Sequence, residues 1–156
     1  MVGKNSLFSG TVNIRNKRAS FEFQFIEKFV AGIALQGTEI KSIRMGKVNF
    51  LDAYCAFHDN ELFLYEMHIS PYEKGTHYNH EPKRHRKLLL TKRELKRLNS
   101  KSEEKGLTIV PTRIFLGARG FAKVEIALAR GKKTFDKRES IKEKDLKRDL
   151  ERNRFR

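Results

Sequence analysis

Tryptophan is absent from this chain of 156 residues, and cysteine occurs once, as Cys55. One cysteine excludes an intrachain disulfide and fits a reducing compartment. No apolar run approaches the roughly 20 residues needed to span a bilayer as a helix, so no membrane partner is expected from that source. The opening stretch, Met1 followed by VGKNSLFSG, lacks the apolar core of a secretory signal, which makes the expected location the cytoplasm. Acid is scarce relative to base: 34 Lys/Arg face 19 Asp/Glu, for a formal charge of +15. Such an excess points to a polyanion, either nucleic acid or an anionic membrane, and says little about fold. What the chain does hold is 38% hydrophobic residues with twelve Phe, enough for a core built without tryptophan.

The basic excess is spread over the whole chain and concentrates at its end. Residues 130–156 carry twelve Lys/Arg against six Asp/Glu, with few large apolar side chains. That composition cannot offset the entropy of ordering it, so this tail is expected to be disordered when free. It nonetheless has helical grammar. Ser140 and Glu143 stand at capping-box spacing, and Glu143/Lys147, Asp145/Arg148 and Asp149/Arg152 are one turn apart. Leu146 and Leu150 share a stripe that Ile141 and Phe155 miss, leaving an apolar face too thin to dock by itself. Composition leaves two readings open: a solubilising appendage, or a segment that becomes helical on a polyanion.

The remaining residues, 1–129, read as one domain. Residues 1–15 look like a loose arm. Phe21 to Ile26 alternates and predicts a half-buried strand, with Phe29 to Leu35 as its partner. Thr38 to Met45 predicts a short helix capped by Thr38 and stopped by Gly46, with Lys41 and Arg44 on one face. Val48–Phe57 and Glu61–Ile69 read as strands joined in a hairpin at His58-Asp59-Asn60. A polar loop from Ser70 to Pro82 precedes a helix expected over Leu88–Lys105, with Gly106 as its stop. Leu107–Leu116 and Phe121–Ala129 are the last strands. The fold class is therefore mainly β with short helices: an OB-like, partly open β-barrel with flanking α-helices.

Catalytic patterns are lacking. Gly117-Ala118-Arg119-Gly120 joins two strands and opens no helix, so it is not a phosphate-cradling loop. No serine stands in a nucleophile elbow. His77, His80 and His85 lie in a stretch rich in Lys and Arg, which disfavours a cation, and no cysteine pair supports them. No metal, no cofactor and no enzyme activity are expected. Lys83-Arg84-His85-Arg86-Lys87 is the densest basic cluster, a natural phosphate-neutralising patch, with a solvated face as its bland alternative. Tyr72, His77, Tyr78 and His80 in the adjoining loop could stack on unpaired bases or pack against the barrel rim.

Several blocks now carry a resemblance. Asn16-Lys17-Arg18-Ala19, the run from Ala31 to Arg44, His68-Ile69-Ser70-Pro71, Arg86-Lys87-Leu88-Leu89-Leu90, Gly131-Lys132-Lys133 and Asp136-Lys137-Arg138 occur in order along the chain. Together they resemble the SsrA-binding protein (SmpB) family. The resemblance implies an OB-like barrel that binds the tRNA-like domain of tmRNA and delivers it to stalled ribosomes. It implies a tail that lies in the empty mRNA channel near the small-subunit decoding centre and folds there as a helix. Elongation factor Tu and alanyl-tRNA synthetase would be indirect partners, and the protein a monomer.

By position, the resemblance makes Asn16 and Leu89 RNA-interface residues, with Lys17 and Arg18 beside Asn16. Lys41, Arg44, Lys83, Arg84, Arg86 and Lys87 are the expected phosphate contacts. In the tail, Lys132, Lys133, Phe135, Asp136, Lys137 and Arg138 are the expected ribosome-binding residues. Two positions depart from the family pattern: Val30 stands where Glu is frequent, and Phe135 where many relatives have His. The rival readings are a general OB-type RNA-binding protein and an RNA-processing enzyme.

Overall fold

A computed structural model of the chain describes residues 12–75 and 78–154, with the side chains of 134–136, 140, 153 and 154 left out of the description. Its elements are β1 (Asn13–Arg15), α1 (Lys17–Glu22), β2 (Phe23–Ile33), α2 (Gly37–Arg44), β3 (Val48–Asn49), β4 (Tyr54–His58) and β5 (Glu61–Tyr65). They are followed by β6 (His68–Ile69), β7 (Arg86–Leu89), α3 (Lys92–Ser102), β8 (Leu107–Leu116), β9 (Ala122–Gly131) and α4 (Thr134–Arg154). Seven strands form one antiparallel sheet in the order β1-β8-β4-β5-β7-β2-β9, and a further pairing of β8 with β9 curls it back on itself. The long ladders β2–β9 and β8–β9 carry most of the wall. The ring is completed by short ladders, a single aligned pair between β4 and β8 and two pairs each for β5–β7 and β2–β7. This is the expected partly open barrel.

Period-two alternation fills its interior. Phe29, Ala31 and Ile33 of β2, Leu62 and Leu64 of β5, and Val124, Ile126 and Leu128 of β9 point inward and are buried. Ile43 of α2 and Leu98 of α3 join the same core. Bulges at Phe25/Glu27 and Pro111/Arg113 shift the register of β2 and β8. A one-residue shift turns the side chains before it to the opposite face. Phe23 and Phe25 therefore lie outside the barrel, where they pack with Val110 and Ala129 against Ala19 of α1.

That bulge explains the first departure from the sequence reading. Phe21 and Glu22 end a helix, and residues 23–33 form one long strand rather than two paired ones. Residues 13–15 are strand β1 on β8, not a loose arm, and residues 1–11 lie outside the described residues. The helix expected over Leu88–Lys105 divides: Leu88 and Leu89 belong to β7, and α3 starts after Thr91. Thr91 Oγ1 accepts the Glu94 amide while the Glu94 carboxylate accepts the Thr91 amide, and this reciprocal cap sets the boundary.

Helix α2 is nearly as expected. Its N-cap is Gln36, whose amide donates to Glu39 Oε1 at 2.8 Å, while Thr38 serves elsewhere. Gly46 follows its end with φ +74°, a conformation that disfavours a Cβ. The hairpin at Asp59-Asn60 stands as expected, with φ of 51° and 64° at the two turn residues. Such a double left-handed turn matches the twist of the paired strands. Strand β9 runs to Gly131, and the Lys132 amide donates to Glu22 O, so the barrel ends a few residues beyond 129.

Candidate nucleic-acid interface

The densest basic run of the sequence does not behave as one surface patch. Arg86 is completely buried: Nε donates to Glu39 Oε2, Nη1 to Met67 O at 2.6 Å and Nη2 to Pro82 O at 3.0 Å. Arg84 Nη2 donates to the other Glu39 oxygen at 2.6 Å and to Ala34 O at 3.2 Å. Two guanidinium groups thus share a carboxylate that is itself fully buried. A buried charge is retained when paired and hydrogen-bonded, and the Arg fork meets both demands here. Arg86 is therefore corrected from a phosphate contact to a structural residue: its guanidinium reaches no solvent. Arg84 is drawn largely into the same cluster. Lys83 and Lys87 remain on the surface, near Glu66 at 3.5 Å and Glu61 at 2.9 Å.

His80, too, is an interior residue. It is buried, with Nε2 2.9 Å from Ile69 O and Nδ1 2.9 Å from Thr38 Oγ1. A carbonyl can only accept, so Nε2 donates. This pins the loop against α2 and removes His80 from any base-stacking or metal role. No cluster of metal-ligating side chains occurs among the described residues, and His77 lies outside them. Tyr72 sits beneath Lys41 Nζ at 5.4 Å, whereas Tyr78 is almost fully exposed.

Asn16 works locally before it works at any interface. Its Oδ1 accepts the Ala19 amide and caps α1, and its Nδ2 donates to Pro111 O at 2.9 Å. That pair of hydrogen bonds fixes the start of α1 on β8 and leaves the side chain half-buried at the mouth of a groove. The groove measures about 760 Å³ and is lined from the barrel by Arg15, Asn16, Lys17, Lys28, Arg113 and Glu125. Lys144, Lys147, Arg148 and Glu151 of α4 face it from the other side. Base outnumbers acid heavily, so the groove favours an anionic occupant. Arg18 turns aside to Glu22 at 2.9 Å.

Strand register joins this groove to Leu89. Arg113 pairs with Glu125 and Glu125 with Val30; one step further, Phe115 pairs with Lys123, Lys123 with Gly32 and Gly32 with Leu89. All lie on the outer face, because their neighbours Ile114, Val124, Ala31 and Leu88 are buried within. Val30 and Leu89 are about half exposed, and a Cβ at Gly32 would stand 3.3 Å from Leu89 Cβ. A belt therefore runs from Asn16 across β8, β9 and β2 to Leu89 on β7. It carries Lys17, Arg113, Lys28 and Lys123 beside the apolar Val30 and Leu89. Lys41 and Arg44 are exposed on α2 and outside these pairings.

The sequence reading missed Arg15, Lys28, Arg113 and Lys123 because the first three are each the one cation of their strand, and Lys123 shares β9 only with Arg130 at its far end. Only the outward side of the alternation pattern could have singled them out. In the tail, Lys132 Nζ donates to Ser20 O at 3.0 Å, and Lys137 Nζ lies 6.0 Å from the Phe21 ring centroid. Lys133 and Arg138 are exposed, and the side chains of Phe135 and Asp136 lie outside the description. Residues Thr134–Arg154 form one helix, where a disordered free segment was expected. Its charge pairs at one-turn spacing support that helix, yet Leu146 and Leu150 stay about two-thirds exposed, as the thin apolar stripe demands.

An OB-like barrel with a basic belt on its outer face and a long charged helix across the groove from it defines a nucleic-acid-binding protein. The chain belongs to the SmpB protein family, which it matches over residues 13–156. It is 59% identical over 144 residues to an SsrA-binding protein of Cytophaga hutchinsonii, covering 92% of this chain and 94% of that one. With an SsrA-binding protein of Flavobacterium psychrophilum it shares 57% over 142 residues, 91% and 95% of the two chains. A chain of the solved structure described as "tmRNA-SmpB: a journey to the center of the bacterial ribosome" superposes with a TM-score of 0.69 at 51% identity, covering 80% of this chain and 87% of that one. No helix among the described residues is long and apolar enough to cross a membrane.

Proposed function

We infer that this protein is an RNA-binding adaptor of trans-translation, which binds the tRNA-like domain of tmRNA and accompanies it onto stalled bacterial ribosomes. The observation that carries this reading is family membership spanning barrel and tail alike, since the match runs to residue 156. The relatives are SsrA-binding proteins, and the solved neighbour is tmRNA-SmpB at the centre of the bacterial ribosome.

The belt from Asn16 to Leu89 is the proposed tmRNA face. Lys17, Lys28, Arg113 and Lys123 neutralise phosphates, and Val30 with Leu89 offers an apolar contact in the middle. With Val at position 30 the belt lacks a carboxylate there, while Glu125 stands directly beside it in register. Lys41, Arg44, Lys83 and Lys87 supply further phosphate contacts at the barrel rim. Helix α4, with Lys132, Lys133, Phe135 and the Asp136-Lys137-Arg138 run at its start, is the ribosome-facing part. It reaches into the mRNA channel near the decoding centre. Its exposed leucines and one-turn charge pairs suit a helix that binds a polyanionic wall.

The protein works as a monomer in the cytoplasm and performs no chemistry. Elongation factor Tu and alanyl-tRNA synthetase act on the same RNA and meet the protein through it. The test is an affinity comparison at physiological salt between the tRNA-like domain and an unrelated duplex of equal length. Clear preference for the tRNA-like domain supports the adaptor, because specific readout exceeds the salt-sensitive general term. Equal affinity would favour a general RNA-binding protein, and RNA turnover by the pure protein would favour an enzyme.

A further inference from the structure

The belt does not stop at Leu89. On the next strands Lys87 pairs with Phe63, Phe63 with Ala56, and Tyr65 with Tyr54. Leu62, Leu64 and Cys55 are buried in the barrel, so alternation turns Tyr54, Ala56, Phe63 and Tyr65 outward. There the rings form a connected row. Tyr54 and Tyr65 stack with centroids 5.3 Å apart and planes 17° from parallel. Tyr65 meets His85 edge-on at 4.5 Å, Phe63 lies 6.4 Å from Tyr65, and His58 lies 6.3 Å from Phe63. Tyr54 keeps 44% of its surface, and His58 and His85 are exposed.

None of these rings belongs to the barrel core: Tyr54 is exposed, and Phe63 and Tyr65 are half-buried on the outer face, where they pack only in this row. Lys83 and Lys87 flank the row, each held by one surface carboxylate, the half-buried Glu66 and the exposed Glu61. Surface pairs of this kind contribute little and exchange readily for another anion. Flat rings along a sheet with cations at their margin match the general device for holding single-stranded nucleic acid: bases stack on the rings while the groove neutralises phosphates. An apolar protein face would not account for the flanking lysines, for the +15 charge, or for the continuity of the row with the basic belt.

We propose that Tyr54, Phe63, Tyr65 and His85 form a stacking platform for unpaired RNA bases, extending the RNA-binding surface from Leu89 across β5 to β4, with Lys83 and Lys87 on the phosphates. The platform rests on reading the belt as an RNA face, but it takes single-stranded RNA instead of a tRNA-like fold. Every base has a π face, so the platform tolerates any sequence; with two lysines against the belt's four cations, it also shows a shallower salt dependence.

The experiment uses the full chain and two probes, a short unstructured oligoadenylate and the tRNA-like domain. Tyr54→Leu with Tyr65→Leu keeps apolar bulk and removes the π faces; Tyr54→Phe with Tyr65→Phe restores them. The Leu pair should lose about tenfold or more in oligoadenylate affinity, and the Phe pair should keep it. In the unaltered chain, ring-proton resonances of Tyr54 and Tyr65 should move upfield on adding oligoadenylate, a readout independent of how well the variants fold. Unmoved tyrosine resonances, or equal oligoadenylate binding by the Leu pair, overturns the platform and leaves the row to a protein occupant. Failure of the unaltered chain to prefer the tRNA-like domain would instead overturn the adaptor reading, which the oligoadenylate probe does not touch.

Discussion

Glu39 and Arg86 stand 47 residues apart in sequence and form a fully buried ion pair between α2 and β7. Arg84 takes the second carboxylate oxygen, and Arg86 goes on to bind the carbonyls of Met67 and Pro82. One carboxylate thereby fastens a helix, a strand and two connecting segments. The densest stretch of positive charge in the body is in large part internal bracing.

Removing half of that pair should be costly. Arg86→Met leaves Glu39 buried with reduced compensation, and loss of one partner of a buried pair destabilises by about 3–5 kcal/mol. Urea unfolding should show this as a lower midpoint. Lys87→Met removes only a surface pair and should cost less than about 1 kcal/mol. Equal, small effects of the two would contradict the bracing role.

The same carboxylate predicts an acid limb. Burial pushes the Glu39 carboxyl upward, but hydrogen bonds from Arg84, the Gln36 amide and Arg86, with the Arg86 charge, outweigh it and hold it below its ordinary 4.5. A group whose pKa falls on folding contributes stability that is complete above its unfolded value and disappears as pH drops through its folded value. Stability should thus be insensitive to Glu39 at neutral pH and decline once the pH passes below 4.5. Thermal melts across that window should show the decline, and Glu39→Gln should flatten it while lowering stability at neutral pH.

The belt makes a prediction in salt. Lys17, Lys28 and Lys123 are exposed cations on α1, β2 and β9. Changing each to Gln should weaken binding to the tRNA-like domain and reduce the slope of log affinity against log salt, by up to about 0.7–0.9 for each phosphate no longer neutralised. Titrations at several salt concentrations measure this directly. An unchanged slope would remove the belt from the interface.

How much of this was readable beforehand depended on periodicity. The hairpin at Asp59-Asn60 and the paired runs of β8 and β9 were legible, since alternation and turn residues agreed with the final fold. Phe21 to Ile26 misled because a bulge, set by tertiary packing under α1, interrupts an otherwise regular pattern. Leu88 misled because Leu88 and the α3 residues Leu95 and Leu98 fit one helical face while the Thr91 cap separates them. At the interface, Asn16 and Leu89 entered through family resemblance, whereas Lys28, Arg113 and Lys123 became visible only when register brought isolated cations together. Arg86 illustrates the converse. Charge density in sequence says nothing of depth, and only the burial of Glu39 shows where its guanidinium goes.

The division of labour between barrel and tail is the central claim, and peptide tagging on stalled ribosomes tests it most directly. Deleting residues 134–156 removes α4 and leaves β9 complete, with Lys132 still bonded to Glu22 and Ser20. The full chain should support tagging; the deletion should retain its preference for the tRNA-like domain and support none. Tagging by the deleted protein, or loss of that RNA preference together with the tail, would contradict the account.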